Sequence, residues 1–482
     1  MRDITIEDAE RYLLDGLRNS AAKQRWFPGK APMAGQAAIA DIIQLGKESS
    51  YFLAILKIMA DDGNEDLYQI PLRISEQKEA ADSRLSFSAD FGGVTYSITD
   101  AVSDPEYHHE LLNLLSGELS FKSGRGTVSY HLNDLAPASL SNNNMHETRV
   151  ITSEQSNSSV IFGDHYIYKS FRKLSTMPNP DYEVPYFLNK HSEKSITPRP
   201  LAYSIYRGET IRAMGGILSV YEKNSGEAWK YFLDSFMNDD SAILGECRKI
   251  GALTSEMHNA LSSASDDESF SPELIGNDDV ESWQVQYRKL VSETVPLIAA
   301  LDVREEGYHL EDILGARDEI ENAGRLLDKL TGDVVKKIRI HGDYHLGQIL
   351  KTEQGYSVID FEGEPARSAE YRRAKNCAIK DLGGLVRSFD YAAAVASMSS
   401  GKEGRTEKLR DAAVEAMVEQ YWKEHERNRG YLPPDREDFE KLLSFFVLEK
   451  AVYEMKYEAL YRPNWIWIPA SSIVEICRKL RD

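Results

Sequence analysis

Apolar residues recur with one period in the front of this chain and with another in its back, and that segregation limits the folds open to it. Over residues 39–45, 51–58 and 66–74 the pattern predicts strands, with further short β runs at 148–152, 158–162, 166–171 and 217–221. Asp62-Gly63-Asn64 marks a hairpin turn between two of them. Only 4–17, 105–115 and 182–189 read as helical in this part; Pro105 suits a first helical turn. A polar tract at 139–145 reads as a loop. From about residue 226 the period is near 3.6, predicting helices over 229–237, 244–261, 280–301, 311–330, 377–396, 406–427, 436–461 and 469–480. The helical run breaks once, where two short strands, 337–340 and 356–360, are expected to enclose residues 341–348. Strands gathered in front of helices argue for an α+β fold and against a doubly wound sheet.

At 482 residues the chain is too long for one core. Its 57 Lys and Arg face 77 Asp and Glu, a net charge of −20. So acidic a surface excludes a general nucleic-acid binder and disfavours an anionic membrane face. No apolar run approaches the about 18 residues of a transmembrane helix, and Met1-Arg2-Asp3 opens no signal peptide. Cys247, Cys377 and Cys477 lie far apart, which predicts a reducing, cytoplasmic setting. Any anion bound here needs a local cationic site or a metal.

The chemistry concentrates in His341-Gly342-Asp343-Tyr344-His345-Leu346-Gly347-Gln348. Phosphoryl transfer from a nucleotide needs a carboxylate that orients the attacking hydroxyl and takes its proton, and ligands for Mg²⁺ on the phosphates. A kinase loop supplies the base and, five residues later, a metal-binding amide; a second Asp follows on the next strand. Asp343 and Gln348 have that spacing, and Asp360 lies twelve residues on. His341 and His345 flank Asp343 and are grouped with it as catalytic-loop residues. Four apart on a loop and lacking an obvious third ligand, they make a poor zinc site. A lone His-Gly-Asp could equally be a capped turn; the spacing to Gln348 and Asp360 decides for the kinase reading.

A kinase also needs a strand lysine for the phosphates and a helix glutamate to hold it. Lys169 in 166–171 and Glu183, fourteen residues later, are the candidates, although Lys169 could be an ordinary edge-strand lysine. No Walker-type or G-x-G-x-x-G loop occurs. The candidate phosphate cover is 153–159, with Ser156, Asn157 and Ser158 at its centre.

With these residues placed, the stretch from His341 through Val358-Ile359-Asp360-Phe361-Glu362-Gly363-Glu364 to Lys380-Asp381-Leu382-Gly383-Gly384 resembles the bacterial maltokinases, of the aminoglycoside phosphotransferase-like kinases. Gln24-Arg25-Trp26-Phe27-Pro28-Gly29-Lys30, Asn179-Pro180-Asp181-Tyr182-Glu183 and Glu449-Lys450-Ala451-Val452-Tyr453-Glu454 are similar to further segments of that family, in the expected order. Lys30-Ala31-Pro32 departs from the usual Gly-Arg continuation, and Lys380 stands where arginine is more usual. The resemblance implies a bilobal protein-kinase-like fold with an N-terminal cap (1–120), a β-rich nucleotide-binding part (121–225) and a helical lobe (226–482). It implies transfer of the ATP γ-phosphoryl group to the anomeric hydroxyl of maltose, with ATP and Mg²⁺ as cofactors. By position, Asp343 is then the base, Gln348 and Asp360 hold Mg²⁺, Lys169 meets the phosphates and Glu183 positions it. Asp381 would anchor the catalytic-loop backbone or, more simply, cap a helix. A cytoplasmic monomer in α-glucan metabolism is implied, with trehalose synthase as a possible non-covalent partner.

For the acceptor, Glu454 and Glu458 lie four apart on one predicted helix, with Tyr457, Arg462 and Trp465 on or near the same face. Carboxylates beside aromatic rings suit a sugar, but the same residues could form a packing stripe. Two glutamates would also suit an ammonium group, so a glucosamine 6-kinase of the same fold is the alternative. A non-catalytic partner of a glucan enzyme is the remote one.

Overall fold

The computed structural model describes residues 4–27, 36–59, 63, 65–76, 85–91, 93–138, 140, 147–151, 156–264, 266–301, 310–332, 334–364, 367–401 and 403–481. Expectations for 28–32, for Asp62 and Asn64, for 153–155 and for most of 139–145 lie outside the described residues. Two compact units form: 1–186 with 198–223, and 187–197 with 224–482.

The first unit opens with α1 (Ile6–Tyr12) and α2 (Leu14–Ala21), where one helix was expected. Strands β1 (Ala37–Gln44), β2 (Tyr51–Met59), β3 (Glu65–Ser75), β4 (Ser86–Phe91) and β5 (Val94–Asp100) follow, then α3 (Pro105–Ser116). Next come β6 (Ser120–Lys122), β7 (Thr127–Leu132), β8 (Thr148–Ile151), β9 (Asn157–Phe162), β10 (Tyr166–Phe171) and β11 (Lys173–Leu174). Helix α4 (Pro180–His191), whose residues from 187 on belong to the second unit, β12 (Pro200–Arg207) and β13 (Arg212–Val220) complete the series. One sheet has the order β1-β2-β3-β5-β4, with β11 on β3; the other is β6-β7-β12-β13-β10-β9-β8. Alternation along β2 explains its unbroken apolar run. Phe52, Ala54, Leu56 and Ile58 enter one core with α1 and α2, while Tyr51, Leu53 and Ile55 enter a second core under α3. Each large side chain so buried contributes about 1.5–3 kcal/mol.

The second unit begins with β14 (Asn224–Glu227), α5 (Ala228–Asn238), α6 (Ile243–Leu261), β15 (Glu273–Leu274) and α7 (Asn277–Ala299). The helix expected over 311–330 is instead α8 (Leu310–Gly315), α9 (Arg317–Asn322) and a 3₁₀ stretch, Ala323–Leu330. Then come β16 (Lys336–Lys337), β17 (Ile349–Thr352), β18 (Gly355–Val358), α10 (Ala369–Arg373), α11 (Ile379–Ser400), α12 (Glu403–Glu424), α13 (Arg436–Tyr461) and α14 (Trp467–Arg481). The two strands expected around residues 341–348 are not paired with each other. β16 pairs with β15, whereas β18 forms a hairpin with β17, and β14 extends that hairpin. Ile338 forms an isolated antiparallel bridge with Asn376, and Ile340 is buried beyond the strand, so their alternation reported burial and not a continuous ladder. Among the described residues no helix is long and apolar enough to cross a membrane.

Candidate active site

The loop 341–348 is tied down from several helices of its own unit. Asp381, in the first turn of α11, accepts the backbone N–H of His341 at 2.7 Å and of Gly342 at 2.9 Å. The His258 ring on α6 meets the same carboxylate through Nε2 at 3.2 Å, and its Nδ1 meets the Tyr421 hydroxyl of α12 at 2.8 Å. Burial of Asp381, only 2 % exposed, works against its charge, but these partners outweigh it and hold the carboxyl below its usual range. Asp381 therefore anchors the loop backbone, the more demanding of its two expected roles. His258 and Tyr421 carried no sequence signal.

The glycines after Asp381 have separate reasons. A Cβ on Gly384 would lie 2.8 Å from the Tyr344 carbonyl oxygen, and one on Gly383 would lie 2.9 Å from Phe446 of α13. One admits the loop, the other a helix. Gly342 takes φ +82°, open to glycine at no steric cost.

The His341 ring sits against Phe361 and Tyr344, with centroids 4.8 and 5.2 Å away. Its Nε2 donates to the Ile359 carbonyl at 3.0 Å and its Nδ1 accepts from the Asp343 N–H at 3.3 Å. Both ring nitrogens serve the loop, and neither is left for a metal. His345 Nδ1 accepts from the Gly347 N–H at 3.1 Å, and burial lowers the pKa of this ring. Both histidines thus shape the loop around Asp343.

The Asp343 carboxylate borders an open pocket, lined also by Tyr344, Glu364, Arg367, Lys380, Glu449, Lys450 and Tyr453. Its Oδ1 receives the Lys450 ammonium at 3.3 Å, and the same ammonium donates to Glu364 Oε1 at 2.9 Å. Gln348 and Asp360 are also brought together: Gln348 Nε2 donates to Asp360 Oδ2 at 3.2 Å. The hairpin explains this. Gln348 immediately precedes β17 and Asp360 follows β18 by two residues, so antiparallel pairing returns one to the other. Asp360 takes φ +64°, a left-handed conformation that favours glycine and is held here at a candidate site. A carboxylate beside a carboxamide is a hard oxygen donor set, which fits Mg²⁺.

In the first unit Lys169 lies on β10, opposite Ser159 of β9 and Ile217 of β13. Its ammonium pairs with Asp181 Oδ2 at 2.8 Å, a partner that sequence reasoning did not name. Asp181 and Glu183 both lie in the first turn of α4, where acidic side chains suit the helix dipole. Ser156 is exposed and Asn157 begins β9. The Ser158 hydroxyl accepts from Arg172 Nε at 2.8 Å, so it is engaged within the sheet.

The acceptor residues expected on α13 lie beyond the cavity. Glu454 is bound by Arg387 Nε of α11 at 2.8 Å, and Arg387 is fully buried. Burial of Glu454 raises its pKa despite that cation. Glu458, 1 % exposed, accepts from the Tyr391 hydroxyl at 3.0 Å and from Arg462 at 2.6 Å. Tyr457 is 44 % exposed, its ring near that of Tyr461, and Arg462 lies over the rings of Tyr457 and Trp465. None of the five lines the cavity beside Asp343. Lys450, Glu449 and Tyr453, one turn earlier on the same helix, do.

No protein-family model matches the chain. It is 25 % identical over 349 residues to a glucosamine kinase of Streptacidiphilus jiangxiensis, covering 69 % of this chain and 74 % of the relative. A glucosamine kinase of Mycolicibacterium smegmatis is 24 % identical over 340 residues, covering 67 % and 78 %. Among solved structures, a glucosamine kinase in complex with glucosamine, ADP and inorganic phosphate superposes with a TM-score of 0.66 at 20 % identity, covering 95 % of this chain and 98 % of that one. A crystal form of glucosamine kinase gives 0.65 at 20 % identity, covering 95 % and 96 %. The expected α+β kinase-like fold is thereby shown. These two curated relatives carry the name that sequence analysis held as the alternative.

Proposed function

We propose that this chain is an ATP-dependent sugar kinase whose preferred acceptor is glucosamine. The observation that carries the reading is the loop itself: Asp343 on a cavity, with Gln348 and Asp360 returned to each other by the β17–β18 hairpin. Two curated relatives, both glucosamine kinases, favour an amino sugar over maltose. In this reading Asp343 takes the proton of the acceptor hydroxyl as its oxygen attacks the γ-phosphorus. Gln348 and Asp360 would hold Mg²⁺, which neutralises phosphate charge when bound. Lys169, braced by Asp181, would meet the phosphates.

Maltose remains the second reading, because the chain resembles maltokinases in ordered segments from Gln24-Arg25-Trp26 to Glu449-Lys450-Ala451. Under that reading the product is maltose 1-phosphate, and trehalose synthase is the partner to test. A panel of sugars with ATP and Mg²⁺, with the phosphorylated position read by NMR, separates them. The proposal expects phosphate on glucosamine. Phosphate on the anomeric oxygen of maltose, with glucosamine inert, would replace it by the second reading.

A further inference from the structure

The kinase reading leaves Lys450, a partly buried cation on the cavity beside Asp343, without a role. Lys450, on α13, spans from Asp343 Oδ1 at 3.3 Å to Glu364 Oε1 at 2.9 Å. Glu364 is itself held by Arg367 Nε at 3.2 Å. The chain of contacts therefore runs from Arg367 through Glu364 and Lys450 to the proposed base.

We propose that Lys450 is a positioning residue, which fixes the Asp343 carboxylate by one oxygen and leaves the other to take the acceptor's proton. Among the described residues Asp343 Oδ2 takes part in no hydrogen bond, so the carboxylate has one committed and one available oxygen. A lysine chain held at both carboxylates loses its rotamer freedom when the protein folds and not during turnover. Its charge is secure: burial works against the ammonium, but Glu364 and Asp343 outweigh that and raise its pKa. Glu364 is secured in return. Burial works against its carboxylate, yet Lys450, Lys380 and Arg367 bring its pKa down to about 2. Lys380 and Glu449, paired at 3.1 Å, and Asp381 complete the charged lining of the cavity. Its three cations, Arg367, Lys380 and Lys450, face four carboxylates, Asp343, Glu364, Asp381 and Glu449, so Lys450 can be ionised there without leaving an uncompensated positive charge.

The role rests on the kinase reading, and its test is built to fail separately. Lys450→Met, Glu364→Gln, Asp343→Asn and the double variant Lys450→Met/Asp343→Asn are compared for kcat and for KM of ATP, with melting temperatures as a folding control. Lys450→Met is expected to lower kcat by about 100-fold, the lower end of acid–base contributions, with KM for ATP unchanged. Glu364→Gln is expected to lower it by about 10-fold, and Lys450→Met to cost nothing further once Asp343 is Asn. Lys450→Ala is expected to recover activity with added ethylammonium, which a purely packing role would not allow. Near-wild-type turnover in Lys450→Met, or losses that add in the double variant, would overturn the proposal. If Lys450→Met does not fold, the ethylammonium response of Lys450→Ala and the kcat of Glu364→Gln decide it. If the wild type phosphorylates no sugar, the functional reading fails, and the same variants are judged on ATP hydrolysis, where water replaces the acceptor.

Discussion

The loop at 341–360 and the far end of α13 both looked like functional sites in sequence, and the structure treats them differently. In the loop, partners are close along the chain. Twelve residues separate Gln348 from Asp360, and a four-on-four hairpin is what brings such a pair together. On α13, Glu454 and Glu458 meet Arg387 and Tyr391, each 67 residues away. Helical spacing showed that the glutamates share a face but not what covers it. A motif whose geometry closes locally can be read from spacing; one completed by another helix cannot.

That contrast can be broken by substitution. The largest effect is expected at Asp381. Asp381→Ala would leave the N–H groups of His341 and Gly342 and the His258 ring without their shared acceptor. It should cost about 3–5 kcal/mol in denaturant unfolding, as removing one partner of a buried charged network does. Phosphoryl transfer should fall with it, because the loop carrying Asp343 loses its anchor. Glu454→Gln is expected to be milder, about 1–3 kcal/mol, since Arg387 keeps Asp390 at 2.7 Å and the Ser472 hydroxyl. KM for the sugar should stay within about two-fold of wild type, since this side chain does not reach the cavity. A tenfold rise in that KM with unchanged stability would return Glu454 to the acceptor site.

Much of the remaining fold was legible where periodicity was strong. Residues 166–171 and 436–461 match β10 and α13 end to end. Regions 311–330 and 337–340 were misread for a shared reason: apolar spacing reports which residues are buried, not whether their backbones join a continuous helix or ladder. At the site, Asp343, Gln348, Asp360 and the anchoring carboxylate of Asp381 could be found in sequence. Lys450 could not, although it was in view within Glu449-Lys450-Ala451. It follows Glu449 on an amphipathic helix, and only folding shows that its ammonium ends between Asp343 and Glu364. Asp181 was hidden differently: it shares the first turn of α4 with Glu183, and spacing alone does not show that its carboxylate meets Lys169.

The central claim is that Asp343 takes the acceptor's proton in a phosphoryl transfer. The most direct measurement compares wild type and Asp343→Asn for sugar phosphorylation, with ATP affinity measured by calorimetric titration in parallel. The account predicts a loss of at least about 10³-fold in kcat with ATP affinity unchanged within about two-fold. Turnover near the wild-type rate in the variant would contradict it.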